Sequence, residues 1–68
     1  MDKDQHVVPH SDGWAVQNGS DKQITSIHRT QREAYERAQE IAIEQQSEVV
    51  THRRDGTIRR QDRPKSTG

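Results

Sequence analysis

The sequence predicts an α+β domain: a small antiparallel sheet, its elements following one another as β-β-β-α-β-β, with one helix packed on one face. Two observations carry this. Residues 30–46, TQREAYERAQEIAIEQQ, hold the one long stretch of helical periodicity. On either side lie short runs containing Val, Ile and Thr, punctuated by the turn signals Asn18-Gly19 and Asp55-Gly56.

The helix is marked by its start, its interior and its faces. Thr30 followed by Glu33 fits a capping box, in which the Thr hydroxyl takes one free N–H of the first turn and Glu33 reaches back to another. Between Gln31 and Gln46 there is no Gly, Pro, Val or Thr to interrupt propagation. At about 100° per residue, Ala34, Tyr35, Ala38, Ile41 and Ala42 fall on one arc. Three of these are alanines, which let the helix approach a sheet closely and leave Tyr35 and Ile41 the larger contacts. The opposite arc carries Arg32, Glu36, Gln39, Glu40 and Ile43, and Ile43 is the helix's one candidate for a partner contact. The helix exit, Gln45-Gln46-Ser47, has no Gly stop, and Glu44 stands where the helix dipole favours a cation.

Before the helix, His6-Val7-Val8-Pro9-His10 reads as an extended run. Pro9 cannot donate to a ladder, so this strand is expected at an edge or to end there. Ser11-Asp12-Gly13 is a turn, and residues 13–17 alternate with Trp14 and Val16 on one face. Asn18-Gly19-Ser20-Asp21 connects to a third strand at residues 23–28, with Ile27 expected to point inward. After the helix, residues 48–53 and 57–60 flank Asp55-Gly56. A three-residue loop, Arg54-Asp55-Gly56, pairs His52 with Ile58 and Val50 with Arg60 and keeps Val50 and Ile58 on a common inward face, so it is preferred to a two-residue loop. Residues 1–5 read as a disordered start, 6–60 as one domain and 61–68 as a flexible basic tail.

At 68 residues there is room for one domain, and with 25% hydrophobic residues and no Phe its core must be small. The expected core is Val7 or Val8, Trp14, Val16, Ile24, Ile27, Ala34, Tyr35, Ala38, Ile41, Ala42, Val50 and Ile58. So small a core gains from self-association. The absence of cysteine removes disulfides and thiolate chemistry, and no apolar run suits a membrane span, so a cytoplasmic protein without membrane contact is expected. The formal charge is zero overall but divided. Residues 1–51 hold five Lys/Arg against nine Asp/Glu, and residues 52–68 hold six against two.

The segments His-Val-Val-Pro (6–9), Gly-Trp-Ala-Val (13–16), Thr-x-x-Glu-Ala (30–34), Ala-x-Glu-Ile-Ala (38–42) and Glu-Val-Val-x-His-x-x-Asp-Gly-x-Ile-Arg (48–59) together resemble the small bacterial and archaeal proteins grouped as domain of unknown function 2188. The resemblance covers about residues 6–60. It implies a small stand-alone α+β domain and brings no activity, cofactor or catalytic residue with it. The chain departs from the family pattern at its helix exit, which lacks Gly or Asn. It departs again at Gln61-Asp62-Arg63-Pro64, where the family has a short Asp-Ser-Tyr-Gly-like finish.

Among functions, chemistry has the least support. His6 and His10 would lie roughly 13 Å apart in a strand, too far for one ion, so a metal site would need His28 or His52 to approach across strands. His52 with Arg53 or Arg54 could serve a small ribonuclease, yet no phosphate loop, partnered nucleophile or carboxylate pair accompanies them. The expectation is therefore a non-enzymatic binding or interaction module that self-associates or takes a protein partner, without catalytic, cofactor or metal residues. The alternative is a nucleic-acid-binding domain whose C-terminal β-hairpin presents Arg53, Arg54, Arg59, Arg60 and Arg63 to phosphates.

Overall fold

The computed structural model describes residues 3–65. Its helix, α1, spans Gln31–Gln45. Thr30 keeps extended backbone at φ −127° and ψ 156°, and its Oγ1 accepts the Glu33 N–H at 3.1 Å, so the Thr half of the capping box is formed. At the other end Gln46 takes the left-handed conformation, φ 55° and ψ 47°. The Ser47 N–H donates to the Ala42 carbonyl at 2.9 Å and the Gln46 N–H to that of Ile43 at 3.3 Å. The helix therefore ends in the geometry a glycine would adopt, with a glutamine bearing the steric cost.

Five strands, β1 (Gln5–His10), β2 (Gly13–Asn18), β3 (Ile24–His28), β4 (Val49–His52) and β5 (Ile58–Asp62), form one sheet in the order β3-β2-β1-β4-β5. The element order and the single covering helix match the sequence reading. The sheet is not wholly antiparallel, however: β1 and β4 pair in parallel, Gln5 with Val49 and Val7 with Thr51. The helix makes this so. It carries the chain back along the sheet, and β4 then runs in the same direction as β1.

Of the two expectations set by Pro9 the edge placement fails, because β1 is the central strand, whereas the strand does end at His10, one residue beyond it. His10 and Gly13 close the β1–β2 hairpin, which makes Pro9–Trp14 the next, non-hydrogen-bonded pair. The proline nitrogen thus faces away from β2, on the side where β4 pairs only as far as Val7. A central proline costs nothing where no ladder bond is required.

The core lies between the sheet and α1. It contains Val7, Trp14, Val16 and Val49 from the strands and Ala34, Ala38 and Ala42 from the helix, with Tyr35 and Ile41 packed beside it. Four expected core residues are absent from it: Val50, which is buried elsewhere, and three that are not buried, Ile24, Ile27 and Ile58, at 43%, 46% and 54% exposed. Register explains all three. Trp14 and Val16 face α1, so their neighbours Ala15 and Gln17 face away. Ile27 pairs with Ala15, Ile24 with Gln17 and Ile58 with His52, which puts all three isoleucines on the uncovered face. Val49 is the β4 valine under the helix, whereas Val50 is buried on the other side.

The β4–β5 connection uses the expected three-residue loop. Gly56 N–H donates to the Arg53 carbonyl at 2.9 Å, Arg53 N–H to that of Thr57 at 2.7 Å, and Gly56 sits at φ 92°. His52 pairs with Ile58 as expected, but a bulge between Thr51 and His52 gives β5 an extra residue. Thr51 therefore opposes Arg60 and Val50 opposes Gln61, so the expected Val50–Arg60 pair does not form. In the β2–β3 loop the left-handed residue is Lys22, φ 58°, and Asn18 N–H closes the loop on the Gln23 carbonyl at 2.9 Å. Strand β1 begins one residue before residue 6 and β5 continues to Asp62, inside the segment read as a tail. Residues 1–2 and 66–68 lie outside the described residues.

Two substitutions test this backbone. Gly13 has φ 132°, and a Cβ there would stand 2.3 Å from the His28 carbonyl oxygen. Gly13→Ala is expected to lower unfolding free energy by at least ~2 kcal/mol in urea denaturation. Gln46→Gly relieves the left-handed glutamine and is expected to raise it by about 0.5–1 kcal/mol, read as a higher denaturation midpoint at unchanged slope.

Candidate functional site

Alternation along the strands divides the sheet into a face under α1 and an open face. The open face carries His6, Val8 and His10 from β1, Ala15 and Gln17 from β2, and Ile24 and Ile27 from β3. Val50, His52, Ile58 and Gln61 complete it from β4 and β5. Not one of these positions is Asp, Glu, Lys or Arg, in a chain that is 32% charged. A shallow depression of about 420 Å³ lies against it, lined by His6, Val8, Gln17, Lys22 and His52 among others.

Across the parallel β1–β4 pair, His6 and His52 meet. Their ring centroids are 5.3 Å apart and His6 Nδ1 lies 3.0 Å from His52 Nε2. The other nitrogen of His52, Nδ1, is 3.2 Å from the Gly56 carbonyl, which can only accept. With a neutral His52 ring, the proton on Nδ1 meets the Gly56 carbonyl and Nε2 accepts the His6 Nδ1–H, which ties β1 to the hairpin loop. The sequence left His28 or His52 as the histidine that would have to approach another across strands, and it is His52 that does so. Its partner became visible only once β1 and β4 were seen to be neighbours. His10 instead accepts the Asp12 N–H at 3.0 Å, and His28 lies 2.8 Å from Ser26 Oγ. Among the described residues no group of three or more His, Cys, Asp or Glu is assembled to hold a metal ion.

The five arginines of the C-terminal hairpin are all exposed, and four of them turn to separate local partners. Arg53 folds onto its own turn, donating to the Ile58 carbonyl at 3.3 Å. Arg54 stacks over Trp14, 5.4 Å from the ring centroid. Arg59 crosses to the helix and donates to Gln31 Oε1 at 2.6 Å, while Gln31 Nε2 donates to the His52 carbonyl at 3.1 Å. Arg60 pairs through Nε with Asp62 at 3.1 Å and lies 5.7 Å from the Tyr35 ring. Arg63 is exposed just beyond β5. Ile43, singled out on the helix, is half-buried.

Where β5 passes the start of α1, Tyr35 donates its hydroxyl to Asp62 at 2.9 Å. Burial first, and then this bond to the carboxylate, push the Tyr35 pKa above its ordinary value of 10.0. On the loop, Asp55 accepts from both the hydroxyl and the N–H of Thr57, and these bonds hold its carboxyl below its ordinary value. Beside Tyr35 a cleft of about 270 Å³ is lined by Gln31, Arg32, Tyr35, Thr51, Arg59 and Arg60. Of these, Arg59 and Arg60 were anticipated as contacts. Gln31, Tyr35 and Thr51 were not, because their relation depends on a helix-to-hairpin contact that no local pattern encodes.

Fold and surface together define a small two-layer α+β domain whose sheet face opposite the helix has no charged residue at its strand positions. The chain belongs to the family described as uncharacterized proteins conserved in bacteria, DUF2188, which it matches over residues 5–63. It is also 43% identical over 60 residues to the uncharacterized protein YdaT of Bacillus subtilis (strain 168). That match takes in 88% of this chain but 40% of the relative, so the chain spans well under half the relative's length. No solved structure matches. Among the described residues no helix is long and apolar enough to cross a membrane.

Tyr35 supplies a pH prediction. A folded-state pKa above the unfolded value makes a contribution that is complete below the unfolded value and is lost as pH rises through the folded one. Stability measured by urea unfolding is expected to decline above pH about 10, the ordinary tyrosine value. In Tyr35→Phe that component of the decline is absent. As the chain's only tyrosine, Tyr35 can be followed directly by ultraviolet titration.

Proposed function

We propose that the domain is a non-enzymatic interaction module that works by self-association, two copies meeting through their open sheet faces. The observation that carries this reading is the placement of Ile24, Ile27 and Ile58. The exposed large aliphatics lie on the one sheet face the helix does not cover, and the strand positions of that face carry no charged residue, with Lys22 and Glu48 at its rim. A two-fold contact brings the same surface of each copy together, so a face with uncharged strand positions, and with Lys22 and Glu48 of opposite sign at its rim, meets itself with little like-charge repulsion. Val8, half-buried, adds to the apolar surface beside the isoleucines, while Ala15 and Val50 are already buried beneath it. Neutral His and Gln side chains at its margin can hydrogen-bond across the contact.

Area sets the expected strength. A sheet of five strands at about 4.8 Å spacing, each about 17 Å long, presents a face of roughly 24 by 17 Å. Two such faces remove on the order of 1,000 Å² of accessible surface, near the lower bound for a specific interface, so association in the micromolar range is expected. The nucleic-acid alternative has less behind it. A groove reader presents its cations along one side, whereas Arg53, Arg54, Arg59 and Arg60 turn to four different local partners.

Light scattering and sedimentation across a concentration series test the proposal. The wild-type chain is expected to approach a dimer mass at tens to hundreds of micromolar. Ile27→Glu, which puts two like charges into the contact, is expected to stay monomeric with its circular dichroism unchanged. A wild-type monomer at every concentration, or an Ile27→Glu variant that dimerises equally well, overturns it.

A further inference from the structure

The cleft beside Tyr35 lies on the opposite side of the molecule from the open sheet face and is chemically unlike it. Three arginines converge there from two elements: Arg32 from the first turn of α1, and Arg59 and Arg60 from adjacent positions on β5. Arg59 follows Ile58 and so turns to the helix side by alternation, and the bulge between Thr51 and His52 brings Arg60 to the same side by setting it opposite Thr51. Gln31 then fixes the Arg59 guanidinium at 2.6 Å and is itself anchored at 3.1 Å to the His52 carbonyl. Arg59 thus has a positioned side chain and a neutral partner. Arg32 and Arg60 have acidic ones, Glu36 at 3.7 Å and Asp62 at 3.1 Å, so the cleft keeps a net positive charge. Gln31 and Arg32 open α1, and the N–H groups of its first turn add the positive end of the helix dipole.

An independent observation lies at the floor. Thr51 is 4% exposed, lines the cleft, and its Oγ1 is buried with no hydrogen-bond partner in the protein. A threonine facing the helix side of a central strand could be valine at no cost to packing, and a buried hydroxyl without a partner is destabilising. Such a hydroxyl at the foot of an arginine-lined cleft is a donor awaiting an acceptor.

We propose that this cleft binds a phosphate-type dianion, carried as inorganic phosphate or as the phosphomonoester of a small molecule. Arg59 and Arg32 supply the charge, the Thr51 hydroxyl donates from below, and Arg60 closes the side nearest Tyr35. Arg60 holds Asp62 Oδ2 through its Nε, which offsets part of that carboxylate's charge, while Asp62 Oδ1 is buried without a hydrogen-bond partner in the protein. The volume of about 270 Å³ accommodates a phosphate with room beyond it for a small organic group.

The test is titration of the wild-type chain with sodium phosphate, adenosine monophosphate and glucose 6-phosphate against sodium chloride at matched ionic strength, followed by thermal unfolding and by amide chemical shifts. Phosphate is expected to raise the melting temperature above the chloride control and to shift Gln31, Thr51 and Arg59 selectively. A phosphomonoester that binds more tightly than free phosphate identifies an organic ligand, and equal affinity identifies phosphate itself. Arg59→Gln and Thr51→Val are each expected to weaken binding about tenfold or more while retaining the fold. An effect no larger than that of chloride overturns the site, and so does a response that survives both substitutions. Binding found only with oligonucleotides, irrespective of a terminal phosphate, overturns it too. Ile27→Glu separates this result from self-association, because that variant should bind phosphate unchanged.

Discussion

Close approach of α1 to the sheet, allowed by Ala34, Ala38 and Ala42, is the contact on which the rest of the fold depends. These alanines recur every fourth residue and are fully buried, so the helix settles onto Val7, Val16 and Val49 with few large side chains of its own. A chain with 25% hydrophobic residues can fill one such layer, but not a second. The single helix therefore covers one face of five strands and leaves the other without a layer. The remaining aliphatic side chains collect there, which is where the proposed contact with a second copy arises.

The same helix also organises the cationic end of the molecule. By returning the chain along the sheet it makes β4 a parallel neighbour of β1, which brings His52 against His6 and carries β5 past the first turn of α1. The bulge in β5 then turns Arg60 to the helix side beside Arg59, which Gln31 receives. The division of charge between the first 51 residues and the last 17 becomes, in three dimensions, a set of guanidinium groups held by separate partners. Two of them share a cleft with the first turn of the helix, while Arg54 covers Trp14.

Local chemistry determined a large part of this from sequence alone. The helix and its Thr30 cap, the buried alanine stripe, the Gly56 loop and the His52–Ile58 pairing all depend on interactions within a few residues, and the alternation of 13–17 placed Trp14 and Val16 correctly in the core. The family pattern, too, is a matter of residues in order. Tertiary structure decided what alternation cannot: which of two faces a strand buries. Ile24, Ile27 and Ile58 read as core because a strand pattern has no sign until its neighbours are known, and two bulges shifted that sign midway along β3 and β5. Pro9 in a central strand, the parallel β1–β4 pair, the His6–His52 contact and the Thr51 cleft likewise join residues far apart in the chain. Their geometry is fixed by the crossover of one helix, which no short stretch of sequence encodes.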